Sequence, residues 1–308
     1  MTGRRIGLAL GGGAARGWAH IGVIEALEAA GLAPGIVAGT SIGALVGGAW
    51  AAGRLGDLKA WARQVDRRRI AGLLDVNLGT GGLIDGQRIH GILCALGMDA
   101  KIEDLPLRYA AVATDLTDGQ EVCLRRGALA DAIRASIAVP GIISPSHLDG
   151  RWLVDGGLAN QIPVSVCHAM GAEVVVAVNV GEGLLAKHTA AFRRAEHDPG
   201  TARVAEILEQ VPAPLHALAE RVLPQLIAGT PQTPSYFGTL AACLNIVQGR
   251  LTAARLAEEP PDVMISPPVA AISLMEFDRA DEAIEAGRLA TEAVVGQVRA
   301  LAEGRFPA

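Results

Sequence analysis

The chain lacks the features that would place it in several large protein classes. Its 27 lysines and arginines are outnumbered by 32 aspartates and glutamates, a net charge of −5, so no bulk attraction to nucleic acid is expected. Its four cysteines, Cys94, Cys123, Cys167 and Cys243, are scattered and form neither a C-x-x-C pair nor a disulfide framework. That usage suits a reducing compartment. No cluster has metal-ligand spacing and no acidic calcium-type loop is present, so neither metal nor cofactor is expected. No uncharged apolar run reaches the roughly 18 residues of a spanning helix. Met1 to Arg5 is basic and the next residues are apolar, but Gly11 to Gly17 interrupts the run too soon. A cleaved leader would also remove the proposed first strand. The expectation is a cytoplasmic protein whose membrane contact, if any, is peripheral; oligomeric state is left open. Aromatics make up only 3% of the 308 residues while half are hydrophobic, enough for one large domain or one domain with an insertion.

What is present is glycine, in three clusters. The first follows an apolar run, Ile6-Gly7-Leu8-Ala9-Leu10, that reads as a β-strand. It comprises Gly11-Gly12-Gly13-Ala14-Ala15-Arg16-Gly17, and a helix from about Trp18 to Ala30 follows. A glycine run between strand and helix presents backbone N–H groups to a phosphate or an oxyanion. The nucleotide readings fail on detail. G-x-G-x-x-G needs glycine where Arg16 stands, and no acidic residue ends the second strand. Gly12 and Gly17 have P-loop spacing, but Trp18 takes the lysine position. An oxyanion hole is the better reading, against the plain alternative of a tight turn.

The second cluster is Gly39-Thr40-Ser41-Ile42-Gly43. A G-x-S-x-G element is a sharp strand-to-helix turn whose small flanks let the serine project. Gly35 to Ala38 reads as the strand and Ala44 to Ala52 as the helix. Ser41 would then sit at a helix N-terminus, which favours developing negative charge. The third cluster is Asp155-Gly156-Gly157, after the short strand Trp152-Leu153-Val154. Alone, Asp-Gly would read as a hairpin turn. With the other two clusters it reads as a carboxylate aimed into a cleft.

These blocks, with Ala135-Ser136-Ile137-Ala138-Val139-Pro140 and Asn160-Gln161-Ile162-Pro163-Val164, make the chain resemble the patatin-like phospholipases, closest in style to compact bacterial members. The resemblance covers residues 5 to 181 and, more loosely, 262 to 302. It implies a Ser–Asp dyad: Ser41 as nucleophile and Asp155 as general base. Backbone N–H groups of Gly12, Gly13 and Ala14 would form the oxyanion hole. Gly11, Arg16, Gly17, Gly39, Gly43, Gly156 and Gly157 complete the supporting motifs, with Arg16 orienting the loop or meeting a lipid phosphate. The implied substrate class is a lipid ester, phospholipid or lysophospholipid. A carboxylate with an ordinary pKa of about 3.9 is a weak base for a serine hydroxyl. Direct contact, a dry site and a preorganised oxyanion hole must compensate.

Three alternatives stay open. A Ser–Asp–His order of the α/β-hydrolase kind would draw its histidine from His168, His188, His197 or His216. His20, one helical turn past the glycine loop, reads as a helix-positioning residue. A catalytically silent regulator could reuse the fold. An acyltransferase could pass the acyl group to an acceptor other than water.

The fold class expected is α/β, a mostly parallel sheet flanked by helices in three layers. Strands are expected at 6–10, 35–38, 109–114, 152–154, 174–180 and 262–266. Helices are expected at 18–30, 42–52, 58–65, 87–96, 129–135, 164–169 and, closing the chain, 278–302. Asp85-Gly86 offers a cap to the helix at Gln87, and 79–82 reads as a flexible loop. Residues 1–308 form one domain, with core 5–181 plus 262–302. Residues 182–260 read as a helical insertion or cap, amphipathic over Arg203 to Ile227 and taken first as helices packed on the core.

Overall fold

The computed structural model describes residues 4–65, 86–181 and 236–305. The expected loop at 79–82, Asp85, most of the helical insertion including 203–227, and His188, His197 and His216 lie outside the described residues. The chain divides into two compact units, Met1–Glu182 with Leu251–Ala308, and Gly183–Arg250.

The first unit is built on one mixed sheet. Its strands are β1 Ile6–Leu10, β2 Ile36–Thr40, β3 Arg108–Asp115, β4 Glu121–Leu124, β5 Ser146–Leu148, β6 Arg151–Asp155, β7 Val174–Val178 and β8 Val263–Ile265. The order is β5-β6-β3-β2-β1-β7-β8, with β4 also paired to β3. Strands β3, β2, β1, β7 and β8 run parallel. Strands β4 and β6 are antiparallel to β3, and β5 to β6. The parallel strands are short runs buried on both faces, which is why they read as continuous apolar segments.

Alternation along these strands feeds two unequal cores. Leu8, Leu10, Val37, Ala111, Val176 and Val178 face the larger one. Helices α1 Ala19–Ala29, α2 Ile42–Ala51, α3 Leu55–Ala62, α4 Gln87–Ala95, α5 Leu129–Ser136, α8 Ala280–Glu292 and α9 Val295–Ala302 contribute to it. Ala9, Ala38, Ala110, Val112, Val175 and Ala177 face the thinner one. It is closed by α6 Val164–Ala169 and by Leu256 of α7 Tyr236–Glu258. The result is the three-layer α/β/α arrangement, with the thinner core on the face closed by α6 and Leu256.

The C-terminal region differs from expectation. The single closing helix is two, α8 and α9, separated at Ala293 and Val294. Helix α8 crosses α1 with backbones almost in contact: a Cβ at Gly22 would lie 1.8 Å from the Ile284 carbonyl, and one at Gly287 2.0 Å from that of Ala19. The short strands β4 and β5 were not expected, and α3 begins at Leu55 rather than at 58. Gly86 starts α4 with φ of 79° and no side-chain cap. Among the described residues no helix is long and apolar enough to cross a membrane.

Candidate active site

Strand β2 ends at Thr40 and helix α2 begins at Ile42, so Ser41 alone makes the turn. It does so at φ 55° and ψ −123°, a conformation costly for a residue with a side chain. The flanking glycines let backbone pack closely around the turn. A Cβ at Gly39 would lie 2.3 Å from the Gly43 carbonyl oxygen, and one at Gly43 2.2 Å from that of Leu10. Neighbours hold the strained backbone. Ser41 N–H donates to Ser136 Oγ at 2.9 Å, and Ser136 Oγ–H donates to the Val112 carbonyl at 2.5 Å. Thr40 Oγ1 donates to the Asn160 carbonyl at 2.8 Å, and Tyr109 donates to the Ala44 carbonyl at 2.8 Å. Ser41 itself is only 8% exposed.

Register carries Asp155 to the same place. Thr40 pairs with Val112 of β3, and Asp155 pairs with Ala113, the next residue of that strand. Asp155 is followed by a 3-10 turn, Gly156–Leu158, rather than by a hairpin. Its N–H donates to the Ala138 carbonyl at 2.9 Å, and its own carbonyl accepts from Thr114 Oγ1 at 2.9 Å. Oδ1 accepts from Gly157 N–H at 2.8 Å. Oδ2 is buried and takes no hydrogen bond of ordinary geometry. Burial pushes the Asp155 carboxyl up to about 6, against the opposing pull of the Ser41 hydroxyl and the Gly157 N–H. The Ser41 hydroxyl thus favours the charged carboxylate, while Oδ2 accepts no hydrogen bond.

The glycine loop packs against the Ser41 turn, where a Cβ at Gly43 would lie 2.8 Å from the Gly11 carbonyl oxygen. Gly11 N–H donates to the Val178 carbonyl at 3.1 Å, continuing the sheet. Of the expected trio Gly12, Gly13 and Ala14, the Gly12 N–H donates to the Gln161 carbonyl at 3.1 Å. Gly13 and Ala14 N–H have no partner among the described residues. Ala14 starts a 3-10 turn, Ala14–Trp18, with φ of 50°. At its end Gly17 packs on Ile42, the residue after Ser41, where a Cβ would lie 2.1 Å from the Ile42 side chain.

Arg16 is buried, and its Nε donates to the Ile272 carbonyl at 2.7 Å. Desolvation lowers its pKa while Glu276 raises it. It therefore ties the loop to the segment before α8; Nη1 is buried without a partner. His20 is fully buried, its Nε2 lies 2.7 Å from the Gly11 carbonyl, and burial pulls its pKa down to about 4. A neutral ring with the proton on Nε2 satisfies that carbonyl and fixes the tautomer. His168 is exposed on the last turn of α6.

Several contributors were invisible as single letters. Ser136 and Ala138 give the A-S-x-x-x-P block a concrete task, one holding the Ser41 backbone and the other the Asp155 backbone. Tyr109 and Thr114 come from β3, whose role as the strand shared by both residues appears only once register is known. Among the described residues no group of three His, Cys, Asp or Glu side chains could hold a metal ion.

The known proteins similar to this chain agree with the architecture. The family model described as "Patatin-like phospholipase" matches residues 8–168. The chain belongs to the patatin-like phospholipase family. An uncharacterized NTE family protein of Mycobacterium tuberculosis (strain ATCC 25618 / H37Rv) is 36% identical over 335 residues, covering 94% of this chain and 91% of that protein. Patatin-like phospholipase domain-containing protein 6 of Mus musculus is 36% identical over 188 residues, covering 59% of this chain and 14% of that protein. Among solved structures, that of VipD from Legionella pneumophila matches with a TM-score of 0.54 at 14% identity, over 96% of this chain and 67% of that one. At that identity the likeness speaks for the fold alone.

Proposed function

We propose that the protein is a serine acyl hydrolase of lipid esters, of the phospholipase or lysophospholipase kind, with Ser41 as nucleophile and Asp155 as general base. Family membership supports the reaction class. The observation that carries the assignment is the buried Asp155 carboxylate, pushed up to about 6, beside a serine held in a strained turn. At pH 7 such a carboxylate is still mostly ionised, yet it is a better proton acceptor than an exposed one. The weak-base difficulty is met by desolvation rather than by a histidine.

In this reading Ser41 Oγ attacks the ester carbonyl as its proton passes to Asp155 Oδ2. The tetrahedral oxyanion is received by the Gly13 and Ala14 N–H groups. The C–O bond to the leaving alcohol breaks and the alcohol takes the proton from Asp155. Water then adds to the acyl-enzyme with Asp155 again as base, releasing the carboxylic acid and restoring Ser41. The partner is a lipid ester met peripherally. A cytoplasmic location fits the free cysteines among the described residues.

Esterase activity on a short and a long p-nitrophenyl ester tests the reading, with wild type, Ser41→Ala and Asp155→Ala compared at confirmed folding. Both variants are expected to fall by about 10³-fold or more in kcat, with the long ester preferred by wild type. Activity surviving Ser41→Ala would refute the assignment. Transfer of the acyl group to an added alcohol in preference to water would favour an acyltransferase instead.

A further inference from the structure

The loop's two free donors each belong to a peptide plane that is gripped on its far side. In a trans peptide the C=O of one residue and the N–H of the next point in opposite directions. The Gly13 N–H therefore shares a plane with the Gly12 carbonyl. That carbonyl accepts from Gln161 Nε2 at 2.9 Å. The Ala14 N–H shares a plane with the Gly13 carbonyl, which accepts from Arg16 N–H at 3.3 Å. One plane earlier, the Gly11 carbonyl is held by His20 Nε2. Gln161 takes hold of Gly12 twice, since its own carbonyl accepts the Gly12 N–H at 3.1 Å.

We propose that the Gln161 side chain is a positioning residue that locks the Gly12–Gly13 peptide with its N–H turned toward the oxyanion; this rests on the acyl-hydrolase reading above. Rotation of that plane changes torsions only in two glycines, which impose little steric preference of their own. The direction of the donor must then come from outside the loop. Gln161 supplies it with an amide packed against Gly12, where a Cβ would lie 3.0 Å from Nε2 and from Oε1. The assignment of the two amide ends follows from the network, because the reverse orientation would set Oε1 against the Gly12 carbonyl oxygen. The bond to the carbonyl also polarises the peptide, making the Gly13 N–H a stronger donor.

The same side chain is a poor stabiliser. Its Oε1 is buried without a partner, which offsets what the Nε2 bond contributes. An apolar side chain of the same length removes the unpaired oxygen along with the bond, so its effect on folding should be small while its effect on the loop is not. That separates a positioning role from a structural one.

The test is kcat, KM and thermal melting of wild type, Gln161→Met and Gln161→Glu on a p-nitrophenyl ester at pH 8, with fluorophosphonate labelling of Ser41 alongside. Gln161→Met is expected to lose about 10- to 100-fold in kcat, near the low end of what loss of one oxyanion donor costs. KM should stay within about threefold and the melting temperature within a few degrees, as for loss of an interaction made only in the transition state. Labelling should slow in parallel, because the phosphonyl oxygen uses the same donors. Gln161→Glu should fall further, since an ionised carboxylate cannot donate and repels the Gly12 carbonyl. Unchanged kcat in a folded Gln161→Met, or a loss confined to KM, overturns the inference. A loss that follows a lowered melting temperature in both variants also overturns it. A wild type that neither turns over ester nor labels at Ser41 strikes the acyl-hydrolase reading itself, and this inference with it.

Discussion

The two sides of the site work differently. In the proposed reading the reacting groups on the Ser41–Asp155 side are side chains, and the Ser41 backbone is strained. On the glycine-loop side the proposed groups are backbone N–H donors, in a loop that side chains from elsewhere hold. Ser41 is carried at φ 55° by hydrogen bonds from β3, α5 and the segment after β6. The loop is carried by His20, Arg16 and Gln161, none of which reaches toward the scissile bond in this account. Where function sits in a side chain, its identity is written in the sequence. Where it sits in a peptide plane, the sequence shows only glycines, and the residues that aim the plane must be found in space.

The largest expected change in folding stability comes from filling the space the two sides share. A Cβ at Gly43 would lie 2.2 Å from the Leu10 carbonyl oxygen and 2.8 Å from that of Gly11, so backbone must move at both the turn and the loop. Gly43→Ala should destabilise by about 2–4 kcal/mol as an overpacking change against rigid backbone. Chemical denaturation checks it. A neutral result would mean that the turn and the loop are less tightly joined than described.

Protonation sharpens the contrast. Asp155 on one side has its pKa raised to about 6, and His20 on the other has its pKa lowered to about 4. Between about pH 4 and 6 the folded state binds the Asp155 proton more tightly than the unfolded chain does, so this group's contribution falls as pH rises. Over about pH 4 to 6.5 the unfolded chain binds the His20 proton more tightly, so that contribution rises with pH and is fully present above the unfolded value. Each amounts to about 3 kcal/mol, and in the wild type they nearly cancel. Relative to wild type, Asp155→Asn should therefore gain stability from about pH 4 to 6, and His20→Gln should lose it from about pH 4 to 6.5. Urea unfolding at pH 4, 5, 6 and 7 measures both. Parallel curves for the three proteins would contradict the burial assigned to the two groups. The smallest effect expected in this set is the 10- to 100-fold change in kcat at Gln161, about 1.4–2.7 kcal/mol.

Much of the fold could be read from the chain because its central strands are buried on both faces. Continuous apolar runs such as Val174–Val178 need no partner to be recognised. The three glycine clusters could be read because close backbone approach leaves glycine as the only residue that fits. β4 and β5 escaped because they are short and partly exposed, so neither a run nor an alternation marks them. The Gly22–Gly287 crossing that seats α8 on α1 depends on contacts more than 250 residues apart in the chain, out of reach of any local pattern. Within the site, Ser41 and Asp155 stood out by motif. The spent Gly12 donor and the hold of Gln161 on the loop did not, because both are properties of register between β1 and the segment after β6.

The central claim is that a desolvated aspartate activates Ser41. Its most direct test is the rate of Ser41 labelling by a fluorophosphonate from pH 4.5 to 9, in wild type, Asp155→Asn and His20→Gln. The account predicts that wild-type labelling rises with an acid limb centred near pH 6, where Asp155 loses its proton. That limb should persist in His20→Gln, and the rate should collapse in Asp155→Asn. Labelling that keeps its rate and its limb without Asp155, or that loses both with His20 alone, would contradict it.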